Sequence, residues 1–264
     1  YGELDHEACM TIIQELADCG VQNVSITGGE PLVRKDFFEL VDAMLDRGLH
    51  IRVIYSNGKL VTDHFLDELT ARGLCPEINM SFDGVGWCDW LRGVDGAEEA
   101  VKDAFQRCRD KGFPTAAEMC LHQYNKHTLR ESINLLASLG CRHLKTNPVS
   151  AVGEWKRHGG GASLSMKEAF DLYLDYIPHF FEDGAPLSLM LGGFFMARKG
   201  SNTWQIPSKK LNGKEACNNL CVCGHARQVM YISADGRVLP CNRPAGQFRR
   251  GARLPGRLFA HPSQ

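Results

Sequence analysis

The loop at residues 27–32 carries the most informative chemistry in the chain and reads Thr-Gly-Gly-Glu-Pro-Leu. Two adjacent glycines, Gly28 and Gly29, allow a tight turn and let a ligand approach the backbone closely. The carboxylate of Glu30 can accept charge-assisted hydrogen bonds from an ammonium group, while Pro31 restricts the turn. This loop is therefore a candidate ligand site, although the same residues also make a good turn before a helix.

Two further polar turns lie downstream. Residues 56–58 read Ser-Asn-Gly, and residues 81–84 read Ser-Phe-Asp-Gly. Their side chains can bind a ligand, but Asn-Gly and Asp-Gly are also common turn pairs. Asn125 is a polar residue in a later loop, and Asp83 and Glu118 are candidate general bases by position alone.

Four cysteines near the end of the chain form a candidate metal site: Cys217, Cys221, Cys223 and Cys241. Thiolates are the usual protein ligands of iron–sulfur clusters, but four cysteines can also bind zinc tetrahedrally, so both interpretations stay open. We expect the cysteines on faces or edges of predicted helices to be small buried apolar residues. These are Cys9, Cys19, Cys108 and Cys141.

Histidines and tryptophans also fall in or near the polar loops. His122, like the other scattered histidines, is expected at the surface or in a capping role. Trp87, Trp90 and Trp155 fall in predicted loops, where they either line a substrate channel or pack within the loops.

The elements that must position these loops follow one rhythm between residues 5 and 182. Apolar residues recur with helical spacing in segments that mostly end at a glycine, and short β-type segments lie between them. Strands are predicted at 23–26, 51–55, 78–82, 115–121 and 142–147. Such alternation predicts parallel βα units in a full or partial barrel or an open sheet. In either fold, ligands bind at the C-terminal edges of the strands, where the polar loops lie.

The rest of the chain breaks this rhythm. Residues 187–214 contain four glycines and are predicted to bridge two regions. Asp235-Gly236, between two short apolar stretches, predicts a β-hairpin. The basic segment at 249–264 shows no periodicity.

Composition excludes several classes of function. With 30 Lys and Arg against 31 Asp and Glu, nothing global attracts the chain to nucleic acid or an anionic membrane. The longest apolar run, at 187–197, is about half the length that a bilayer span needs. The chain begins without a secretory signal or an initiator Met, so we expect it to begin inside a longer protein.

Taken in order, the three polar loops resemble those of the radical S-adenosylmethionine (SAM) superfamily over residues 1–182. The resemblance implies an α/β fold, a partial (β/α)6 TIM-like barrel followed by the start of a small C-terminal iron–sulfur domain. It also implies that Gly28, Gly29 and Glu30 bind the amino group of SAM, with Pro31 holding the turn.

The resemblance extends to the later loops. It implies ribose contacts from Ser56 and Asn57, and a SAM contact from Ser81. Asp83 is then a SAM or substrate contact, and Asn125 falls where the family contacts the nucleoside.

The sequence departs from the family pattern in one respect. Radical SAM enzymes bind a [4Fe–4S] cluster through Cys-x3-Cys-x2-Cys after their first strand, and this spacing occurs nowhere in the chain. We expect the first strand and the cluster ligands upstream of Tyr1, and we expect the chain as given to be unable to cleave SAM.

The late cysteines resemble the start of the SPASM extension of peptide-modifying radical SAM enzymes. The spacing of Cys223, Gly236 and Cys241 matches its opening. The resemblance implies auxiliary [4Fe–4S] clusters on the four late cysteines, with Cys221 as a spare thiol. The predicted organisation is a partial barrel at 1–186, a bridge at 187–214, a truncated SPASM-like region at 215–248 and a tail at 249–264.

The function implied is reductive cleavage of SAM to a 5′-deoxyadenosyl radical, which abstracts hydrogen from a peptide or protein substrate, as in peptide maturases and sulfatase-maturing enzymes. An electron donor such as flavodoxin or ferredoxin and a cytoplasmic location suit such clusters. Two alternatives stay open: a cluster-less SAM- or peptide-binding barrel protein, and a zinc-stapled α/β domain without a SAM site.

Overall fold

The computed structural model describes residues 3–149, 155, 157, 159, 161–206 and 230–239, and the backbone of residues 252–253. The chain divides into two compact units. The larger unit comprises residues 25–33 and 51–207, and the smaller unit comprises residues 1–24, 34–50 and 208–264. The described helices are α1 (His6–Asp18), α2 (Phe37–Asp46), α3 (Asp63–Ala71), α4 (Cys88–Arg92), α5 (Ala97–Asp110), α6 (Leu129–Ser138) and α7 (Met166–Glu182). Within the described residues, no helix combines the length and the apolar character that a membrane span requires.

One sheet of seven strands follows the order of the chain. Its strands are β1 (Asn23–Ile26), β2 (His50–Ser56), β3 (Glu77–Ser81), β4 (Thr115–Leu121), β5 (His143–Pro148), β6 (Ser188–Leu191) and β7 (Phe195–Ala197). Strands β2 to β6 pair in parallel, each with its neighbour in sequence. Strand β7 returns antiparallel to β6. The parallel core agrees with the βα units predicted from the sequence.

The helices form where an apolar stripe coincides with suitable ends. In α5, the buried residues Val101, Ala104, Phe105 and Cys108 recur at helical spacing. Acidic residues in its first turn and basic residues in its last turn complement the helix dipole. Ser165 and Glu168 form a capping box at the start of α7.

The two faces of the sheet differ in polarity. Along β3, Ile78 and Met80 are fully buried, whereas Asn79 and Ser81 point to the opposite face and are partly exposed. The strand register places Ser81 beside Glu118 of β4 on that face. The sheet therefore has one apolar face and one polar face.

Strands β6 and β7 lie inside the segment predicted to be a bridge. They form a hairpin whose turn contains Gly192 and Gly193, both with positive φ. Gly192 also approaches Tyr173 so closely that a Cβ would lie 2.7 Å from its ring. Here the glycines mark a tight turn within the sheet.

The smaller unit contains α1, α2 and a small sheet. Its core forms around Ile13, Leu40, Ala43 and Leu49. The predicted Asp235-Gly236 hairpin is present: β8 (Tyr231–Ile232) pairs antiparallel with β9 (Arg237–Leu239), and β10 (Ala252–Arg253) pairs with β9. The backbone N–H of Leu4 donates to the carbonyl oxygen of Ala234 at 2.8 Å, which attaches the start of the described chain to this hairpin.

The cysteines predicted to be buried fall into three groups. Cys108 and Cys141 are buried as expected, and Cys9 is half-buried. Cys19 is exposed, so the prediction for it was wrong. The reason is its position, since Cys19 is the C-cap of α1 and lies beyond the apolar stripe of that helix.

Candidate functional site

The predicted site loops converge because their strands are parallel. The C-terminal ends of β2, β3, β4 and β5 lie at one edge of the sheet. The loop after β1 reaches the same edge, since Glu30 contacts Ser56, the last residue of β2. We call this edge, with its loops, the rim.

Glu30 occupies the centre of the rim beside β2. Its Oε2 accepts a hydrogen bond from the backbone N–H of Asn57 at 2.6 Å, and its Oε1 accepts from Ser56 Oγ at 3.0 Å and from the Leu32 N–H at 3.3 Å. Within the described residues, no Lys, Arg or His forms an ion pair with this carboxylate. Three neutral donors therefore hold a carboxylate whose charge stays uncompensated.

The residues around Glu30 leave it accessible. Gly28 and Gly29 are exposed, Glu30 is half-buried, and Pro31 is buried beneath the turn. A Cβ at either glycine would meet no atom within 4 Å. The backbone of this loop therefore faces open space, where a ligand can approach both it and the Glu30 carboxylate.

The turn after β2 is built by its own side chains. Ser56 Oγ accepts from the Gly58 N–H at 3.1 Å, and Asn57 Oδ1 accepts from the Lys59 N–H at 3.0 Å. Gly58 has φ +87°, and a Cβ there would lie 3.2 Å from the Val101 backbone. Glycine is required because the turn packs directly on α5.

Asp83 is engaged by protein groups on both carboxylate oxygens. Its Oδ2 accepts from Arg92 Nε at 2.7 Å, and its Oδ1 accepts from the backbone N–H of Cys120 at 3.0 Å. The residue is completely buried. Burial raises the pKa of the Asp83 carboxyl, while Arg92 and the Cys120 N–H oppose this shift. Arg92 was not predicted, because its pairing depends on how the loop after β3 folds back.

Asn125 joins the loops after β3 and β4. Its Nδ2 donates to the carbonyl oxygens of Asp83 and Cys120 at 2.7 and 2.8 Å, and its Oδ1 accepts from the His122 N–H at 2.7 Å. The side chain is completely buried, and both of its polar atoms form hydrogen bonds with backbone groups. Asn125 therefore fixes the relative positions of two rim loops.

Ser81 and Glu118 lie side by side on the polar face of the sheet. Glu118 Oε1 accepts from Lys145 Nζ of β5 at 3.1 Å, and both side chains are partly exposed. Burial raises the pKa of the nearby Tyr55 hydroxyl, and the charge of Glu118 adds to this shift. The structure thus separates the two acids proposed from sequence, since Asp83 is buried in a loop and Glu118 faces solvent on the sheet.

The cysteines of the described residues do not form a ligand set. No group of three or more His, Cys, Asp or Glu side chains there is arranged to hold a metal ion. Burial raises the pKa of the Cys88, Cys108 and Cys141 thiols to about 12, so they remain protonated. The predicted ligands Cys217, Cys221, Cys223 and Cys241 lie outside the described residues.

Comparison with known families decides how this rim is classified. The profile of the Radical SAM superfamily matches residues 1–136, just over half of the 264 residues. The chain belongs to the radical SAM superfamily. The match covers the loops after β1, β2, β3 and β4, and it confirms the resemblance drawn from their sequences.

Curated relatives of this radical SAM chain include enzymes with peptide and heme-related names. PqqA peptide cyclase of Bradyrhizobium diazoefficiens is 28% identical over 242 residues, covering 91% of this chain and 59% of that protein. AdoMet-dependent heme synthase of Methanosarcina barkeri is 25% identical over 254 residues, covering 91% of this chain and 68% of that protein. The chain spans 59% and 60% of the lengths of two PqqA peptide cyclases that it matches.

Solved structures of radical SAM proteins share the fold. Streptococcus suis SuiB bound to S-adenosylmethionine aligns with a TM-score of 0.64 at 18% identity, covering 92% of this chain and 55% of SuiB. Native anSMEcpe with bound AdoMet and Cp18Cys peptide aligns with a TM-score of 0.62 at 17% identity, covering 92% and 67%. The α/β fold with a partial TIM-like barrel, predicted from the sequence, is confirmed.

Proposed function

We propose that this chain is the SAM-binding barrel of a radical SAM enzyme that modifies a peptide or protein. The observation that carries the proposal is the Glu30 carboxylate, which is held at the rim by three neutral donors and has no cationic partner among the described residues. Such a carboxylate suits the ammonium group of SAM, because a charge-assisted hydrogen bond is about twice as strong as a neutral one.

In this proposal, different rim residues contact different parts of SAM. Glu30 accepts from the ammonium group, and the backbone of Gly28 and Gly29 lies against the methionine part. Ser56 and Asn57 hold Glu30 in place, and their remaining polar atoms face the ribose. Ser81 lies on the polar face of the sheet, and Asn125 holds the loops that face the nucleoside.

The metal chemistry requires ligands other than the described cysteines. When bound beside a reduced [4Fe–4S] cluster, SAM supplies a 5′-deoxyadenosyl radical for hydrogen abstraction. The 264 residues contain no Cys-x3-Cys-x2-Cys, so this chain by itself binds SAM without cleaving it. Auxiliary clusters on the four late cysteines and an electron donor such as flavodoxin or ferredoxin are further parts of the proposal.

The substrate class follows from two kinds of relative. Several curated relatives are PqqA peptide cyclases, and SuiB bound to its precursor peptide SuiA shares the fold with a TM-score of 0.68. Both concern peptides, so we assign a peptide or protein substrate to this chain. Glu118 on the polar face is the proposed general base, because its side chain is partly exposed, whereas that of the other candidate, Asp83, is completely buried.

Equilibrium binding of SAM tests the proposal with the chain as it is. We expect wild-type protein to bind SAM and Glu30→Gln to weaken binding at least 10-fold, which is the scale of a hydrogen bond to a charged group. Glu131→Gln is the matched control, because Glu131 is exposed on α6. Circular dichroism checks that all three proteins are folded.

Two outcomes would overturn the assignment. One is a folded wild-type chain that shows no saturable SAM binding. The other is a Glu30→Gln variant that binds SAM as tightly as Glu131→Gln does, because the uncompensated carboxylate would then have no part in recognition.

A further inference from the structure

Aromatic rings surround a buried histidine where β4 ends. His122 directly follows β4 and is completely buried, which contradicts the surface position that was one of the two roles expected from the sequence. Its imidazole lies 5.2 Å from the ring of Trp90 and 5.5 Å from that of Trp155, between centroids. Tyr124 and Trp87 lie at 5.8 and 6.0 Å. We call these five residues of the larger unit the aromatic cluster.

The protonation state of His122 follows from its contacts. The backbone N–H of Tyr124 donates to Nδ1 at 3.3 Å, so Nδ1 carries the lone pair and Nε2 carries the proton. Burial lowers the pKa of His122 to about 4, so the ring is neutral at physiological pH. It presents one N–H donor, fixed in direction.

That donor lacks an acceptor among the described residues. Nε2 is buried and has no hydrogen-bond partner there, whereas a buried polar group without a partner is strongly disfavoured. The indole Nε1 of the neighbouring Trp155 is itself a donor, which bonds Ser163 Oγ at 2.7 Å, so it does not serve as the acceptor. An acceptor supplied by a ligand would satisfy the imidazole.

Two rings of the cluster face solvent. Trp90 is 49% exposed and Tyr124 is 45% exposed, and their planes stand at 89° with centroids 5.3 Å apart. Two rings at a right angle leave open faces against which a third ring can pack edge-to-face or stacked. Because Nε2 is buried, a ligand can reach it only if a covering ring moves, and Trp90 is a half-exposed ring beside the imidazole.

The charge of the cluster selects among ligands. Within the described part of the chain, burial alone lowers the pKa of His122, and no carboxylate there shifts the pKa of the imidazole. The imidazole therefore brings no charge of its own to the cluster. A neutral ring packs against it without the desolvation cost that a cationic side chain would have.

We propose that the aromatic cluster is a subsite for a neutral aromatic side chain of the peptide substrate, an inference that rests on the function proposed above. The side chain packs against the exposed faces of Trp90 and Tyr124, and a carbonyl oxygen of the same peptide accepts the hydrogen bond from His122 Nε2. The subsite lies on the segments after β3, β4 and β5, whereas the Glu30 site lies on the loops after β1 and β2. Substrate and SAM then occupy neighbouring parts of one rim.

Short peptides test the subsite. Acetylated and amidated Gly-Gly-X-Gly-Gly peptides, with Phe, Leu or Lys at X, are titrated into the whole chain while tryptophan fluorescence is recorded. Three of the four tryptophans belong to the cluster, so the signal reports on it. We expect the Phe peptide to bind about 3- to 10-fold more tightly than the Leu peptide, from aromatic packing beyond area burial, and the Lys peptide to bind no better than Leu.

Variants distinguish binding at the subsite from non-specific hydrophobic binding. Trp90→Ala is expected to remove the preference for Phe over Leu, with calorimetry replacing the lost fluorescence. Phe181→Ala is the matched control, because Phe181 is a 40% exposed aromatic residue on α7 outside the cluster. His122→Leu is expected to weaken all three peptides, and His122→Gln, which restores an N–H donor, is expected to recover part of the loss.

The outcomes are distinguishable from those for SAM. Equal binding of Phe and Leu peptides, tightest binding of the Lys peptide, or a preference retained in Trp90→Ala would each overturn the subsite even if SAM binds normally. If the chain fails to bind SAM but keeps a Phe preference that depends on Trp90, the proposed cofactor function fails and the aromatic subsite stands.

Discussion

Replacing Asp83 distinguishes a ligand contact from a residue that positions the rim. Asp83→Asn retains an oxygen that can accept the Cys120 N–H but removes the charge opposite Arg92. Asp83→Ala removes both hydrogen bonds of the carboxylate, to Arg92 and to the Cys120 N–H, and Arg92→Ala leaves the buried carboxylate without its cation. Wild type, Asp83→Asn, Arg92→Ala and the Asp83→Asn/Arg92→Ala double mutant form a thermodynamic cycle for this pair.

The structure sets the expected sizes. A hydrogen bond to a charged group contributes about 1.5–3 kcal/mol, but the Arg92 side chain is 37% exposed, so we expect Asp83→Asn to cost about 1–2 kcal/mol after solvent screening. Asp83→Ala also leaves the Cys120 N–H without its acceptor, and we expect about 3–5 kcal/mol, as for breaking a buried pair. The coupling between Asp83 and Arg92 should be about 1–2 kcal/mol.

Urea unfolding monitored by circular dichroism gives these free energies, and SAM binding is measured on the same preparations below the transition. If Asp83 positions the loops, stability falls in the order given and binding follows the folded fraction. Suppose that Asp83→Asn keeps its stability within about 0.5 kcal/mol of wild type but loses SAM or peptide binding. That result would refute the positioning role and indicate that Asp83 contacts the ligand directly.

Three other changes have definite expected results. Gly84→Ala should lower the free energy of unfolding by about 2–4 kcal/mol in thermal or urea unfolding, because φ is +99° and a Cβ would lie 2.6 Å from Thr128 Oγ1. Gly86→Ala is the control: φ is +74° there but the space is open, so it should cost only about 1 kcal/mol. Equal losses would contradict the steric explanation. Folding lowers the pKa of His122 from 6.5 to about 4, so the unfolded chain binds the proton first and the protein should lose stability as pH falls from 6.5 toward 4. Unfolding measured at several pH values should show that His122→Gln lacks this pH-dependent loss. Ser165→Ala should destabilise by about 1 kcal/mol through loss of the α7 cap, and an unchanged melting temperature would show that the capping box is not needed.

Local sequence patterns predicted the parallel core and brought the right loops together. Strands β1 and β4 were predicted at their observed bounds, and the ends of β2, β3 and β5 each within one residue, which is inside the usual uncertainty of element ends. Glu30, Ser56 and Asn57 were expected at one edge because parallel strands align their C-terminal ends, and their hydrogen bonds show that they meet.

Features that depend on tertiary packing could not be predicted from the same patterns. Strands β6 and β7 are three or four residues long and join at two glycines, so they carry too little periodicity to distinguish them from a loop. The pairing of Arg92 with Asp83 depends on the fold of the intervening loop and helix α4. The burial of His122 comes from rings contributed by separate loops, which no single stretch of sequence displays.

The bond between Leu4 and Ala234 joins residues that are 230 positions apart. Ribosomes release the amino terminus first, and domains generally fold as units during synthesis. The segments of the larger unit all precede the β8–β9 hairpin in the chain, so they leave the exit tunnel before it does. We expect the segment around Leu4 to be sensitive to proteases in ribosome-bound chains from which the larger unit has emerged but the hairpin has not, and to lose that sensitivity once the hairpin has emerged.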